Sequence, residues 1–455
     1  MLRCEVVSRG SRVSVSAWAL GAFVLTRGIG AFTQSTFTGS DEASYFESGS
    51  KLAHGLPREI FWPPLVPWLD ALVVSTTRAE SFMAARVLWH LFDLAVFLLL
   101  PGLARGLEGP VETDRRWTLG EAMQMAYAVY LPAIGFSSVA TSEMPTLLLV
   151  CLLSLTLLGR PEPTTHQSVV AGLLSGLLVL TRASLLPWLF ALPLFLLSQS
   201  EPKSRGRGRR NALVAAGGGA LVVLAVVLTN GLSRGAYVVS TNSYYDFYLG
   251  NAAVYEEDLD LFRPRATPEQ IAYRRAYFSG DAPADGAVAD RAHFAEACRF
   301  VARDPLLFGR RALGRLARVF APKTEEESLL GDSPSFGLSA KALALIAVTN
   351  VEWGGVLFVG VLGLGYLARA QRRYFRLVWL SLAGSLPLCV VAISKPRYSF
   401  PFEVFLMMAA LFFVRDLPRS WGQVWPRHKV GVCLAWLVLA WAWVAWLIFA
   451  FTSRS

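Results

Sequence analysis

The chain has 455 residues, 54% of them hydrophobic and 17% charged, with a net charge of +10 and a mean hydropathy of +0.44. That is too apolar for a soluble protein of this length, and the apolar runs are continuous rather than alternating, which argues against a membrane β-barrel. The basic excess lies in short loops rather than in a compact domain, which argues against nucleic acid as a partner, and the five scattered cysteines form neither a disulfide framework nor a metal knuckle.

The N-terminus carries Arg3, Arg9 and Arg12 ahead of an apolar run from Val13 to Phe32. That run is long for a signal-peptide core and has no clear small-residue cleavage site, so it reads as a retained first span at about 13–33. Further runs near the roughly 20 residues that cross a bilayer place spans at about 84–104, 119–136, 140–158, 168–182, 184–199, 212–231, 341–368, 376–393, 398–414 and 430–451. The expectation is an all-α polytopic membrane protein with about eleven transmembrane helices. The shortest two, 168–182 and 184–199, also read as one kinked helix through "LLPWLFALP".

Orientation follows from the short loops "ARGLEGPVETDRR" (104–116), "EPKSRGRGRR" (201–210), "RAQRRYFR" (369–376) and "RDLPRSWGQVWPRHK" (415–429). With eleven spans they fall on the side of the basic N-terminus, which the positive-inside rule makes cytoplasmic. Three parts result: an N-terminal transmembrane module, 1–231, with an external first loop at 34–83; an extracytoplasmic segment, 232–340; and C-terminal transmembrane helices, 341–455. In the first loop, 42–53 reads as a short helix with Asp41 near its N-cap. "PPLVPWLDALVVS" (63–75) reads as a second helix lying at the interface. In the second segment, "RFVARDPLLFGRRALGRLARVF" (299–320) has Leu and Phe at helical spacing with Arg between, an amphipathic surface helix leading back to the membrane.

Polar groups inside or at the rim of a bilayer are expensive, so each is a functional candidate. They cluster towards the external side: Asp41, Glu42, His54, Arg58 and Glu59 in the first loop, Arg86, His90 and Asp93 in the second span, then Glu143, Arg182 and "SKPRY" (394–398). Bland readings stand beside each. Asp41 and Glu42 also suit a solvated helix start favoured by the helix dipole. Arg86, His90 and Asp93 share a face at i, i+4, i+7 and also suit a polar ladder between spans. Glu143 suits a span cap or a second acid facing an acceptor or a metal. Arg182, Lys395 and Arg397 sit externally, against the positive-inside bias, and Tyr398 suits an interfacial belt or a donor contact. The histidines lack metal-ligand spacing, so a divalent ion is unsupported. The Trp-rich run 433–451 reads as lipid-facing packing.

"DEASYFESGSKLAHG" followed by "FWPPLVPWLDAL" resembles the first external loop of the GT-C fold membrane glycosyltransferases, near the dolichyl-phosphate-mannose protein mannosyltransferases and the bacterial aminoarabinose transferases. "AARVLWHLFDL" (84–94), "TSEMPTLLLVCLL" (141–153), "GLLSGLLVLTRASLL" (172–186), "NSYYDFYLGN" (242–251) and "KPRYSFPFEVF" (395–405) agree in order. Members often carry Lys or His just before the Pro-Pro, where this chain has Trp62. The aminoarabinose transferases tend to have Arg where it has Ser44.

The resemblance implies inverting transfer of a sugar from a polyprenyl-phosphate donor to an extracytoplasmic acceptor (lipid, glycan or protein), in a bacterial inner membrane with the N-terminus cytoplasmic. Under that reading the catalytic candidates are Asp41, as general base, and Glu42. Arg58, Arg182, Lys395 and Arg397 are the donor-phosphate candidates, because a planar fork of donors matches phosphate. Tyr45, Arg86, Glu143 and Tyr398 are the substrate-binding candidates. The partners are the lipid-linked donor, membrane lipids and an acceptor of unknown identity. The alternative is a transporter or flippase of a lipid-linked sugar, which would be expected to show paired repeats and broken helices at mid-depth.

Overall fold

The computed structural model describes residues 15–33, 40–57, 60–78, 81–107, 117–160, 162–199, 205–251, 286–323, 340–392, 396–417 and, near the C-terminus, 433, 436, 437, 440, 443 and 444. Among these residues every regular element is helical. The helices are α1 (Val15–Thr33), α2 (Ser40–Ala53), α3 (Leu65–Thr77), α4 (Phe82–Arg105), α5 (Leu119–Val129), α6 (Leu131–Ser137), α7 (Glu143–Leu158) and α8 (Thr165–Thr181). They continue with α9 (Trp188–Gln199), α10 (Arg205–Arg234), α11 (Asn242–Asn251), α12 (Gly286–Arg303), α13 (Pro305–Val319), α14 (Ala340–Ala370), α15 (Arg372–Val391) and α16 (Phe400–Arg415). Short 3₁₀ turns at Ala183–Leu185 and Pro396–Ser399 precede α9 and α16.

Among the described residues, six helices are long and apolar enough to cross a membrane: Val15–Phe32, Phe82–Arg105, Arg205–Arg234, Ala344–Ala370, Arg372–Val391 and Arg397–Arg415. Four shorter apolar helices, Leu65–Thr77, Glu143–Leu158, Thr165–Thr181 and Ala183–Gln199, stand among them. The chain is an integral membrane protein by this measure. The run expected at 119–136 is two helices, not one. Pro132 sits in the first turn of α6; it has no N–H to give the Ala128 carbonyl four residues back, and its ring would clash with that carbonyl, which accepts from Thr26 and Arg27 instead. Tyr130 is extended at the break, and Glu352 of α14 accepts from the freed Leu131 N–H at 2.9 Å. The run expected at 430–451 falls mostly outside the described residues.

α16 is the axis of the bundle, with residues 400–410 buried throughout. It packs on α14 and α5, while α8 and α10 form a second seam. Small residues let that seam close: a Cβ at Gly172 would lie 2.3 Å from the Ala215 carbonyl oxygen, and one at Gly176 would meet Val222 and Gly219. Leu213, Leu221, Leu224 and Leu228 of α10 and Val87, Leu91 and Leu98 of α4 stay exposed, as a lipid-facing stripe would.

Buried polar links tie spans together. Arg27 of α1 donates to Asp93 Oδ2 at 2.7 Å and to the Ala128 carbonyl at 2.7 Å, and the Tyr127 hydroxyl donates to Asp93 Oδ1 at 2.6 Å. Asp93 is thus satisfied from two neighbouring helices, the interhelical link expected of a polar group in a span.

The basic loops gather at one end. Arg373 donates to the Leu157 and Arg160 carbonyls, Arg376 to the Ser198 carbonyl at 2.8 Å, and Arg207 pairs with Glu162 at 3.7 Å. The acids and arginines described next lie at the opposite end.

Candidate active site

α2 begins with Ser40, Asp41 and Glu42, and its first turn holds both acids near the positive end of the helix dipole. The two side chains then diverge. Glu42 has no exposed surface. Arg86 of α4 grips it with two parallel bonds, Nε to Oε1 at 2.9 Å and Nη2 to Oε2 at 2.8 Å, and the Ala140 N–H donates to Oε1 at 2.8 Å. A buried carboxylate with this many donors is fixed in place. Asp41 points the other way, with its side chain 29% exposed, and accepts from Arg397 Nη2 at 2.5 Å.

Arg397 comes from the 3₁₀ turn Pro396–Ser399, 356 residues along the chain from Asp41. Its Nε lies 3.6 Å from Glu143 Oε1, and Arg182 Nη2 lies 3.5 Å from the same oxygen. Glu143 opens α7 and is buried, and neither of its carboxyl oxygens has a hydrogen-bond partner among the described residues. Arg182 is delivered by a break in the chain. It caps α8 with extended backbone (φ −149, ψ 117) before the 3₁₀ turn that starts at Ala183. Its guanidinium carbon stands 4.4 Å above the Tyr398 ring. Two carboxylates and two arginines, from four different elements, therefore meet at one end of the bundle.

Tyr45 lies one turn after Asp41 and is buried. Burial, together with the charges of Asp41 and Glu143, pushes its phenol up, so it stays protonated at neutral pH. Tyr45 packs on Trp62 with ring centroids 4.5 Å apart, and Trp62 Nε1 donates to Ser44 Oγ at 2.6 Å. The two places where the sequence departs from the family pattern, Ser44 and Trp62, are therefore partners in one neutral contact beside the acids.

Asp41, Tyr45, Glu143, Arg182, Arg397 and Tyr398 come together here. Arg86 does not join them directly; it is buried on Glu42. His90 and Asp93 leave the expected ladder, since Asp93 belongs to the Arg27 pair. Arg58 and Lys395 lie outside the described residues. Sequence reasoning passed over Glu403, Lys323 and Arg315. Glu403 carried a signal, an acid inside the apolar run "SFPFEVF". Lys323 and Arg315 carried none that separates them from neighbouring surface cations.

No protein-family model matches the sequence, and no curated protein matches it. Solved structures do match. The Archaeoglobus fulgidus oligosaccharyltransferase in complex with Zn and sulfate aligns with a TM-score of 0.50 at 16% identity, over 96% of this chain and 52% of that one. Its apo form gives 0.48 at 15% identity, over 96% and 56%. The archaeal oligosaccharyltransferase AglB with an inhibitory peptide and a dolichol-phosphate gives 0.47 at 15% identity, also over 96% and 56%. The likeness is one of fold. The helical scaffold is GT-C-like, and the chain spans about half the length of the structures it matches.

One of those structures holds Zn. Among the described residues no three His, Cys, Asp or Glu side chains come close enough to share an ion. The two carboxylates that do approach each other face arginines. The described residues do not form a metal centre.

Proposed function

We propose that the protein is an integral membrane glycosyltransferase. It transfers a sugar, with inversion, from a polyprenyl-phosphate donor to an acceptor on the extracytoplasmic face. The observation that carries this reading is the partly exposed Asp41 carboxylate set against Arg397, with Arg182 and Glu143 behind it. An acceptor hydroxyl becomes a competent nucleophile when a carboxylate takes its proton in the transition state. The leaving phosphate needs no acid, only fixed positive charge as its second negative charge develops. Asp41 suits the first task, and Arg397 with Arg182 the second. Bond formation between acceptor oxygen and the anomeric carbon, with loss of the carrier phosphate from the opposite face, inverts that carbon. Glu42 is assigned a positioning role instead of a catalytic one, since both of its oxygens are taken. Arg58 and Lys395 remain further phosphate candidates.

In this reading three of the shorter apolar helices (Glu143–Leu158, Thr165–Thr181 and Ala183–Gln199), the broken run 119–136 and the run at 430–451 join the six longer ones to give about eleven crossings, with Leu65–Thr77 lying at the interface. The N-terminus and the basic loops lie in the cytoplasm of a bacterial inner membrane, and the segment 232–340 roofs the site. A lipid-borne donor explains why a sugar transferase is built from so many apolar helices: the carrier's tail stays in the bilayer.

The test is Asp41→Asn in purified protein supplied with a polyprenyl-phosphate sugar. Transfer should fall by about 10²-fold or more while binding of the carrier phosphate persists. Full activity would remove Asp41 from the mechanism. Sugar carried across vesicles without attachment to any acceptor would favour a transporter instead.

A further inference from the structure

The turn that carries Arg397 is only four residues long, yet its side chain must meet Asp41 across the whole bundle end. What fixes it is found on both of its sides, and both fixings come from one stretch of chain. At the near side, α15 ends with carbonyls that have no helical donor. Arg315 of α13 supplies one: Nη1 donates to the Val390 and Val391 carbonyls at 2.9 and 2.6 Å. Its Nη2 holds α11 in the same grip, donating to the Gly250 carbonyl and to Asn251 Oδ1 at 2.8 Å. Asn251 Nδ2 adds a further bond to the Val391 carbonyl at 2.9 Å. Gly250 is required by this approach, because a Cβ there would lie 1.8 Å from the Ala392 carbonyl oxygen.

At the far side stands Lys323, four residues after α13 and fully buried. Its Nζ donates to Ser399 Oγ, the last residue of the turn, at 2.5 Å and to Glu403 Oε1 of α16 at 2.5 Å. Glu403 is completed by the Tyr130 hydroxyl at 2.6 Å. The Lys323 backbone is tied as well, its N–H donating to Asn350 Oδ1 at 2.6 Å. A buried ammonium, and a guanidinium spent on carbonyls, are costly ways to hold a fold that apolar packing could hold. Their common result is that residues on either side of Arg397 are pinned to the α13 region.

We propose that Arg315 and Lys323 form a two-point clamp that positions Arg397 opposite Asp41, so that the segment roofing the site also sets its affinity for the donor phosphate. The proposal rests on the glycosyltransferase reading above. Arg315 and Lys323 are positioning residues: Lys323 touches the turn and Arg315 the end of the helix that leads to it, and their part in binding runs through Arg397.

The test uses the full-length protein in detergent, with a short-chain polyprenyl phosphate as the binding probe. Arg315→Met, and the neutral pair Lys323→Met with Glu403→Gln, should each weaken carrier binding roughly tenfold or more, the scale of one charge-assisted contact. Combining either with Arg397→Met should add nothing to the loss from Arg397→Met alone, because residues acting through one another are not additive. Full additivity, or unchanged binding in Arg315→Met, overturns the clamp. If Arg315→Met does not fold, Arg315→Lys, which keeps the charge but cannot bridge both carbonyls and Asn251, takes its place with the same two outcomes. A second readout needs no phosphate: in a chain without its native cysteines, Asp41→Cys and Arg397→Cys are joined by a short bifunctional thiol reagent. Slower joining when Arg315→Met is added supports the clamp, and an unchanged rate overturns it. If Arg397→Met leaves carrier binding intact, the phosphate-site reading fails, and this cross-link alone decides the clamp.

Discussion

Asp41 and Glu42 are adjacent carboxylates whose environments separate their roles. Glu42 has its charge answered by Arg86 and the Ala140 N–H, so its removal should read as a folding defect. Arg86→Met would leave that charge buried and nearly unanswered, which costs about 3–5 kcal/mol. Arg86→Met combined with Glu42→Gln removes the charge but keeps an acceptor for Ala140. Thermal unfolding in detergent should show the double variant more stable than Arg86→Met alone, and its transfer rate per folded molecule should stay near that of the unsubstituted protein. A rate collapse in a well-folded double variant would return Glu42 to the chemistry.

Asp70 of α3 is a third acid at this end. It is fully buried, and neither carboxyl oxygen has a hydrogen-bond partner among the described residues. Burial first, and the Glu42 charge second, push its carboxyl well above the usual range. The native state therefore keeps a proton that the unfolded chain gives up. This contribution to stability is full below about pH 4, the unfolded value. It is lost as pH rises towards the folded value, by about 1.4 kcal/mol per pH unit at the steepest. Asp70→Asn removes the titrating group and keeps the shape. Its thermal midpoint should fall less than that of the unsubstituted protein between pH 5 and 8; parallel curves would mean Asp70 is solvated or paired.

At the scale of elements, the apolar runs were legible because a bilayer leaves so few ways to satisfy a backbone. The expectations at 13–33, 84–104, 212–231, 341–368, 376–393 and 398–414 each coincide with a helix within a few residues. The breaks were harder to see. Pro132 signals the interruption in 119–136, but the apolar residues on both sides mask it. Arg182 was recognisable as a cation at the wrong end of a span. That it unwinds α8 to reach Glu143 depends on a partner 39 positions away, which no local pattern encodes. The site divides along the same line. Asp41, Glu143, Arg182 and Arg397 were each visible as polar residues at helix ends, whereas their pairing, and the loss of Glu42 and Arg86 to a buried link, are set by tertiary packing, α2 lying on α3 and α3 on α4. Arg27 illustrates the limit: in sequence it is one cation in an apolar run, and only the approach of α4 and α5 makes it an interhelical link.

For the whole molecule, the separation of charge makes a statement about orientation that native chemistry can test. Arg373, Arg376 and Arg207 cluster at one end, where the short loops carry the basic excess, and the acid–arginine site lies at the other. The positive-inside rule counts short loops and places their end in the cytoplasm. α12 packs on α11, which is joined through Arg315 to the end of α15 beside the site, so α12 belongs to the end that carries the site, the end that the proposed orientation puts outside. Cys298 is exposed on α12, whereas Cys151 and Cys389 are buried. A thiol reacts with a maleimide only where the reagent can reach it. In intact cells carrying a chain whose only cysteine is Cys298, a membrane-impermeant maleimide added outside should label the protein, and permeabilising the cells should add little. A chain retaining only Cys4, at the basic N-terminus, should label only after permeabilisation. The reverse pattern would turn the molecule over, placing Asp41 and Arg397 in the cytoplasm. The donor would then have to present its sugar on that face, and the extracytoplasmic acceptor would be lost from the proposal while the acid–arginine geometry stood unchanged.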